Sequence, residues 1–180
     1  MLISNEATAL GFTIIEAVLD GTEVAELARA LETSDLDRSR AGARHLMNHP
    51  AVFAVAADPR MIAIAGRFLG KTAIPYKATL FDKSPARNWL VAWHQDTALP
   101  LCERRENPEW GPWSIKAGVT YALAPASALA QVVALRLHLD DSRPDNGPLR
   151  VPPGTHRLGL LMESDIALRG VNYFCRSRQI

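Results

Sequence analysis

The chain has 180 residues, 48% of them hydrophobic, and a formal net charge of +1 at pH 7, which predicts a single domain over residues 1–180 with a hydrophobic core. The near-neutral charge indicates no binding to nucleic acid or to an anionic membrane, and the sequence shows neither a membrane span nor a signal peptide. The two cysteines, Cys102 and Cys175, match no metal spacing and favour free thiols in a reducing cytoplasm.

The first 70 residues predict helices that cover one face of a sheet. Asp20, followed three residues later by Glu23, forms a capping-box pattern that begins a helix. Its apolar stripe has the helical spacing i, i+3, i+4 and i+7 and comprises Val24, Leu27, Ala28 and Leu31. A short helix is predicted from Pro50 to Ala56, and another begins at Asp58-Pro59 and ends at Gly70.

Two stretches in this part of the chain have different predictions. Residues 11–15 are a short apolar run typical of a strand. Residues 32–44 are polar and charged, which predicts a mobile loop. Such a loop either closes over a site or simply connects two elements on the surface.

From residue 71 to about residue 160 the hydrophobic period becomes two, which predicts strands at 73–82, 88–96 and 131–140. Between the last two strands, residues 97–113 are rich in proline and charge and predict an irregular loop. Trp110 and Trp113 in this loop either line a substrate site or pin the loop to the core. Residues 161–180 form a poorly defined tail with one weak helix at 163–168.

The strand over 88–96 contains the strongest candidate for a functional site. Side chains alternate along a strand, so His94 and Asp96 share one face and converge on one point. An imidazole and a carboxylate on a rigid support are two of the three ligands in the facial triad of non-haem Fe(II) oxygenases. The spacing is weakly specific, because His138 and Asp140 repeat it, and the alternative is a histidine beside a solvated carboxylate.

The strand over 131–140 alternates between leucines and polar residues. One face carries Arg136, His138 and Asp140. If this face is buried, its polar groups require an anion, a metal or water as a binding partner. If it is the solvent-exposed face of an antiparallel sheet, they require no such partner. If this face is internal, the guanidinium of Arg136 suits a carboxylate of a bound organic acid.

Several longer motifs occur in a fixed order along the chain. They are Leu80-Phe81-Asp82-Lys83-Ser84-Pro85, Trp93-His94-Gln95-Asp96-Thr97, Gly111-Pro112-Trp113, Asp145-Asn146-Gly147-Pro148-Leu149 and Pro153-Gly154-Thr155-His156-Arg157. In this order they resemble the bacterial branch of the phytanoyl-CoA dioxygenase family, from about Gly11 to about Arg169. The His-Gln-Asp motif and the last two blocks are the most specific parts of the resemblance.

The resemblance implies a mainly β fold with N-terminal helices, namely a double-stranded β-helix, or jelly roll. It also implies Fe(II) held by His94 and Asp96, 2-oxoglutarate as co-substrate, and O₂-dependent hydroxylation of a small organic molecule. Thr79 lies where the family places a residue beside the keto acid, although a packing role fits it equally well. Arg136 is a further candidate for binding 2-oxoglutarate.

The sequence does not identify the third metal ligand. In the family, a distal histidine and an arginine that binds 2-oxoglutarate follow the Pro-Gly-Thr-His block, whereas this sequence stops at Ile180. We therefore expect a family member without its C-terminal portion, with an incomplete jelly roll whose open sheet edge favours a homodimer. His156 is a weak candidate for the third ligand. Three hypotheses follow: a competent oxygenase, a relative with the fold but little activity, and a jelly-roll module that binds a metal or small ligand.

Overall fold

The computed structural model describes residues 5–39, 42–82, 91–142 and 148–167. Its N-terminal part is helical, as predicted. The elements are α1 (Asn5–Leu10), α2 (Gly21–Thr33), a 3₁₀ helix (Leu46–Asn48), α3 (Pro50–Ala56) and α4 (Pro59–Leu69). None of the helices in these ranges combines the length and the apolar character that crossing a bilayer requires.

The ends of α2 and α4 follow from local side-chain chemistry. Asp20 accepts the N–H of Glu23 at 2.9 Å, and the Glu23 carboxylate accepts the N–H of Asp20 at 2.8 Å, which completes the predicted capping box. Asp58 caps α4 by accepting the N–H of Arg60 at 2.7 Å. Gly70 ends α4 in the left-handed conformation with φ 67°, which costs glycine little.

Arg60 connects the beginnings of these two helices, because its guanidinium binds both Asp58 and Glu23. Its hydrogen bonds hold the pKa of Asp58 down at about 2 and also lower the pKa of Glu23. A carboxyl group whose pKa is lower in the folded protein than in the unfolded chain stabilises the fold at pH values above its unfolded pKa, which is near 4. This stabilisation is lost as the pH falls through the folded pKa.

We therefore expect the melting temperature to fall between about pH 4.5 and pH 2, and to fall less in Arg60→Ala. Thermal unfolding followed by circular dichroism across this window measures the difference. Arg67→Ala, an exposed arginine on α4, is the matched control and should retain the wild-type slope. If the melting temperature of Arg60→Ala fell with pH as steeply as that of the wild type, this account would be contradicted.

The strands form two small antiparallel sheets. The first contains β1 (Arg38–Ser39), β2 (Gly42–Ala43) and β3 (Leu80–Phe81) in the order β1-β2-β3. The second contains β4 (Ala98–Leu101), β5 (Trp113–Lys116) and β6 (Val119–Leu123) in the order β4-β6-β5. No closed barrel is formed by the residues that the structure describes, so the mixture of helices and strands is present but the jelly roll is not confirmed.

A two-residue turn joins β5 to β6. Ala117 and Gly118 both have positive φ, at 47° and 78°. This is the type I′ geometry, whose twist matches that of a right-twisted antiparallel pair. The turn fixes the register in which Ser114 faces Tyr121 and Lys116 faces Val119.

Several strand predictions were wrong. Residues 12–15, 91–97 and 132–138 have no strand, and the strand predicted over 73–82 is reduced to β3. Conversely, the predicted loop over 32–44 contains β1 and β2, and the predicted irregular segment contains β4 and the beginning of β5. The motif residues 83–85 and 145–147, the strand residues 88–90 and Cys175 lie outside the described residues.

The core explains why residues 131–140 alternate without forming a strand. Leu137 and Leu139 pack against a buried cluster of Leu27, Leu31, Ala43 and Leu46, which joins α2, β2 and the 3₁₀ helix. Leu137 and Leu139 thus lie inward, whereas Leu135 on the same face is 43% exposed. A short α5 (Ala126–Leu129) precedes this segment, and no strand among the described residues pairs with it.

Arg38 closes one side of this core. It donates to Asp82 at 2.8 Å and to the carbonyl of Leu31 at 2.8 Å, which ties β1 to the chain after β3 and to the end of α2.

Candidate metal centre

His94 and Asp96 lie side by side, as the spacing predicted, although their segment is not a strand. Nε2 of His94 is 3.8 Å from Oδ1 of Asp96. Nδ1 of His94 is 2.8 Å from the carbonyl oxygen of Ala92. A carbonyl can only accept, so Nδ1 carries a proton, and Nε2 faces Asp96.

This arrangement fits two ligands of a divalent ion. Metal-bound histidines almost always donate their second ring N–H to an oxygen, as His94 does here. Two ligand atoms about 2.1 Å from an ion and at right angles are about 3.0 Å apart, so the observed 3.8 Å requires only a small closing movement. The Asp96 side chain is 95% exposed and is free to make that movement.

Gln95 fixes the backbone between the two ligands. Its amide nitrogen donates to the carbonyl of Gly159 at 2.8 Å, and its amide oxygen accepts the N–H of Leu161 at 2.8 Å. These bonds fasten the segment to residues 159–161. The sequence alone assigned no role to Gln95.

His156 lies at a different place. Its Nε2 donates to the carbonyl of Thr8 at 3.2 Å, and its ring covers Gly11, where an added Cβ would lie 2.2 Å from Nδ1. Across the described ranges, no three His, Cys, Asp or Glu side chains come together as a metal site. His156 therefore anchors the N-terminal segment, with Gly154 and Arg157 also bonded to it.

We expect His156→Ala to reduce thermal stability by about 1 kcal/mol through the lost hydrogen bond and packing, while leaving the Fe(II) affinity within about twofold. Calorimetric titration with Fe(II) under anaerobic conditions and a melting curve measure the two effects. His94→Ala should show the reverse pattern, since its imidazole is a proposed metal ligand and its hydrogen bond to the Ala92 carbonyl is exposed. A tenfold weaker Fe(II) affinity in His156→Ala would identify this residue as the third ligand.

Thr79 and Arg136 are the candidates for binding the keto acid. In the described residues, no hydrogen bond joins either of them to His94 or Asp96. Thr79 is half-buried and directly precedes β3. Burial lowers the pKa of Arg136, and burial together with the charge of Arg136 lowers the pKa of His138. Arg136 and His138 are thus neighbours, as predicted, and Asp140 is exposed. The roles of Thr79 and Arg136 stay predictions.

Trp110 and Trp113 line an open pocket of about 280 Å³ together with residues at the end of β4. Trp113 is paired with Ala122, whereas Tyr121 points to the other side of β6. The pocket therefore opens on the face of the sheet opposite to Tyr121. This separates it from the surface on which Lys116 and Tyr121 lie.

The comparisons with known proteins gave one match. A family model described as Phytanoyl-CoA dioxygenase (PhyH) matches residues 9–165. This range includes all five candidate site residues: Thr79, His94, Asp96, Arg136 and His156. Neither the curated proteins nor the solved structures gave a match.

Proposed function

Because the chain belongs to the phytanoyl-CoA dioxygenase family, we propose that it is a non-haem dioxygenase that uses Fe(II) and 2-oxoglutarate to hydroxylate a small organic molecule. The observation that carries the proposal is the convergence of His94 Nε2 and Asp96 Oδ1 at 3.8 Å within the matched range. His94 and Asp96, the residues that the motif specifies, are thus proposed as two ligands of the facial triad.

Fe(II) with 2-oxoglutarate and O₂ supplies the oxidising power for the cleavage of a C–H bond. The chain supplies the geometry. The carbonyl of Ala92 keeps His94 in the tautomer that binds through Nε2. Asp96 contributes a negative charge that offsets part of the charge of the ion. The Gln95 tether holds the backbone between the two ligands, so that little reorganisation accompanies binding.

The remaining assignments belong to the same proposal. Thr79 and Arg136 contact the keto acid, the protein acts in the reducing cytoplasm where Fe(II) persists, and the exposed edge of β5 pairs two copies into a homodimer. A metal-binding module without oxidation is the second candidate. It is favoured by the fact that only two metal ligands converge in the described part of the chain.

Anaerobic titration tests the proposal. Adding 2-oxoglutarate to the Fe(II)-loaded protein should produce the metal-to-ligand charge-transfer band of a chelated keto acid, and admitting O₂ should release succinate. Fe(II) binding without this band at millimolar 2-oxoglutarate would overturn the proposal and support the metal-binding module. A band without succinate would indicate the family fold with little activity.

A further inference from the structure

Four basic residues surround the ring of Tyr121, which is 2% exposed. The ammonium groups of Lys116 and Lys77 lie 5.1 Å and 5.7 Å from the ring centroid. The His45 ring centroid is 6.0 Å away at a tilted angle. Burial raises the pKa of Tyr121 and the positive charge of Arg44 opposes this effect, which places Arg44 nearby as well. We call Arg44, His45, Lys77 and Lys116 the basic cluster.

The fold brings these residues together from three separate segments. The pairing of β2 with β3 continues through a hydrogen bond from Leu46 N–H to the carbonyl of Ala78, which sets residues 44–45 beside residue 77. His45 then donates through Nε2 to the carbonyl of Lys116 at 3.1 Å, which joins the first sheet to the β5–β6 turn. His45 has a positive φ of 59°, a conformation uncommon for residues with a side chain.

Within the part of the chain that the structure describes, the positive charges of the basic cluster form no ion pair with a carboxylate. Arg38, Arg60, Arg104 and Arg105, in contrast, each bind a carboxylate. Like charges held close together repel, and a bound anion removes this cost.

Lys116 lies on the same face of the second sheet as Tyr121. Tyr121 faces Pro100 across β4 and β6, and Lys116 shares the Tyr121 side of the hairpin.

From these contacts we propose that the basic cluster binds a carboxylate or phosphate group of the organic substrate. The inference rests on the proposed function and adds the substrate class.

The test uses inorganic phosphate and acetate as probes, each titrated into the full chain at constant ionic strength and followed by NMR. The double variant Lys77→Ala/Lys116→Ala should weaken the binding of at least one probe tenfold or more. Because His45 bonds to the backbone of Lys116, this variant retains the contact between the sheets. The matched control is Arg29→Ala/Arg67→Ala, two exposed arginines on α2 and α4, which should bind as wild type.

Each outcome has a defined meaning. Tighter binding of phosphate indicates a phosphorylated substrate, and tighter binding of acetate a carboxylic acid. If neither probe binds wild type, or if the double lysine variant binds as well as wild type, the inference is overturned. It is also overturned if the double variant weakens the 2-oxoglutarate band as much as it weakens the probes, since the basic cluster then serves the co-substrate. Probe binding in a protein that gives no such band would separate a failure of the proposed function from a failure of the basic cluster.

Discussion

Replacing His94 with alanine is expected to reduce Fe(II)-dependent succinate formation at least about 1000-fold, a loss of about 4 kcal/mol of transition-state stabilisation. The side chain supplies the Nε2 lone pair that points toward Asp96, and no third ligand converges with it in the described residues to compensate. Asp96→Asn should have a similar effect, because it retains the size of the side chain and removes the charge that holds the ion. Succinate release and anaerobic Fe(II) titration measure activity and metal affinity separately.

Stability provides the control for this prediction. Both side chains are largely exposed, at 57% for His94 and 95% for Asp96, so their replacement should leave the melting temperature of the metal-free protein nearly unchanged. Asp35→Ala removes an exposed carboxylate that is distant in sequence from His94 and Asp96, and this variant should retain full activity. Activity near the wild-type level in His94→Ala would remove this residue from the metal site.

The helices could be predicted because their signals are local. The capping box of Asp20 and Glu23, the Asp58-Pro59 beginning and the Gly70 end all act within a few residues, and the structure has each of them at the predicted position. The apolar stripe on α2 is also local, and Leu27 and Leu31 are buried as it indicates.

Strands could not be predicted in the same way, because a strand exists only where a partner lies beside it. Residues 131–140 have the alternation of a strand, but no strand in the described ranges pairs with them, although Leu137 and Leu139 pack on the core. Conversely, Pro100 lies within a strand although proline disfavours one. β4 tolerates Pro100 because it is an edge strand of its sheet and pairs on one side only.

The same distinction applies to the site. The pairing of His94 with Asp96 depends on a separation of two residues and was visible in the sequence. The tether from Gln95 to residues 159–161 and the approach of His45 to Tyr121 join segments more than 60 residues apart. No spacing in the sequence indicates such contacts, because they depend on how distant segments of the chain pack together.

The second large effect is expected at Gly42, in the strand that precedes the basic cluster. Gly42 has φ 120°, and a Cβ at this position would lie 2.0 Å from the carbonyl oxygen of Leu80. Both the backbone conformation and the contact exclude a side chain, since the clash is with backbone of the paired strand. We expect Gly42→Ala to destabilise the fold by about 3 kcal/mol or more, which lowers the melting temperature by roughly 6–12 °C in a chain of this size.

Gly21→Ala is the matched control, because Gly21 is the first residue of α2 and an added Cβ meets nothing within 4 Å. This variant should be neutral or slightly more stable. Gly42→Ala should also weaken phosphate or acetate binding, because Arg44 and His45 directly follow the strand, whereas His94 and Asp96 lie on a segment held separately by Gln95. A melting temperature within about 2 °C of wild type would show that the β2–β3 pairing is not what positions the basic cluster.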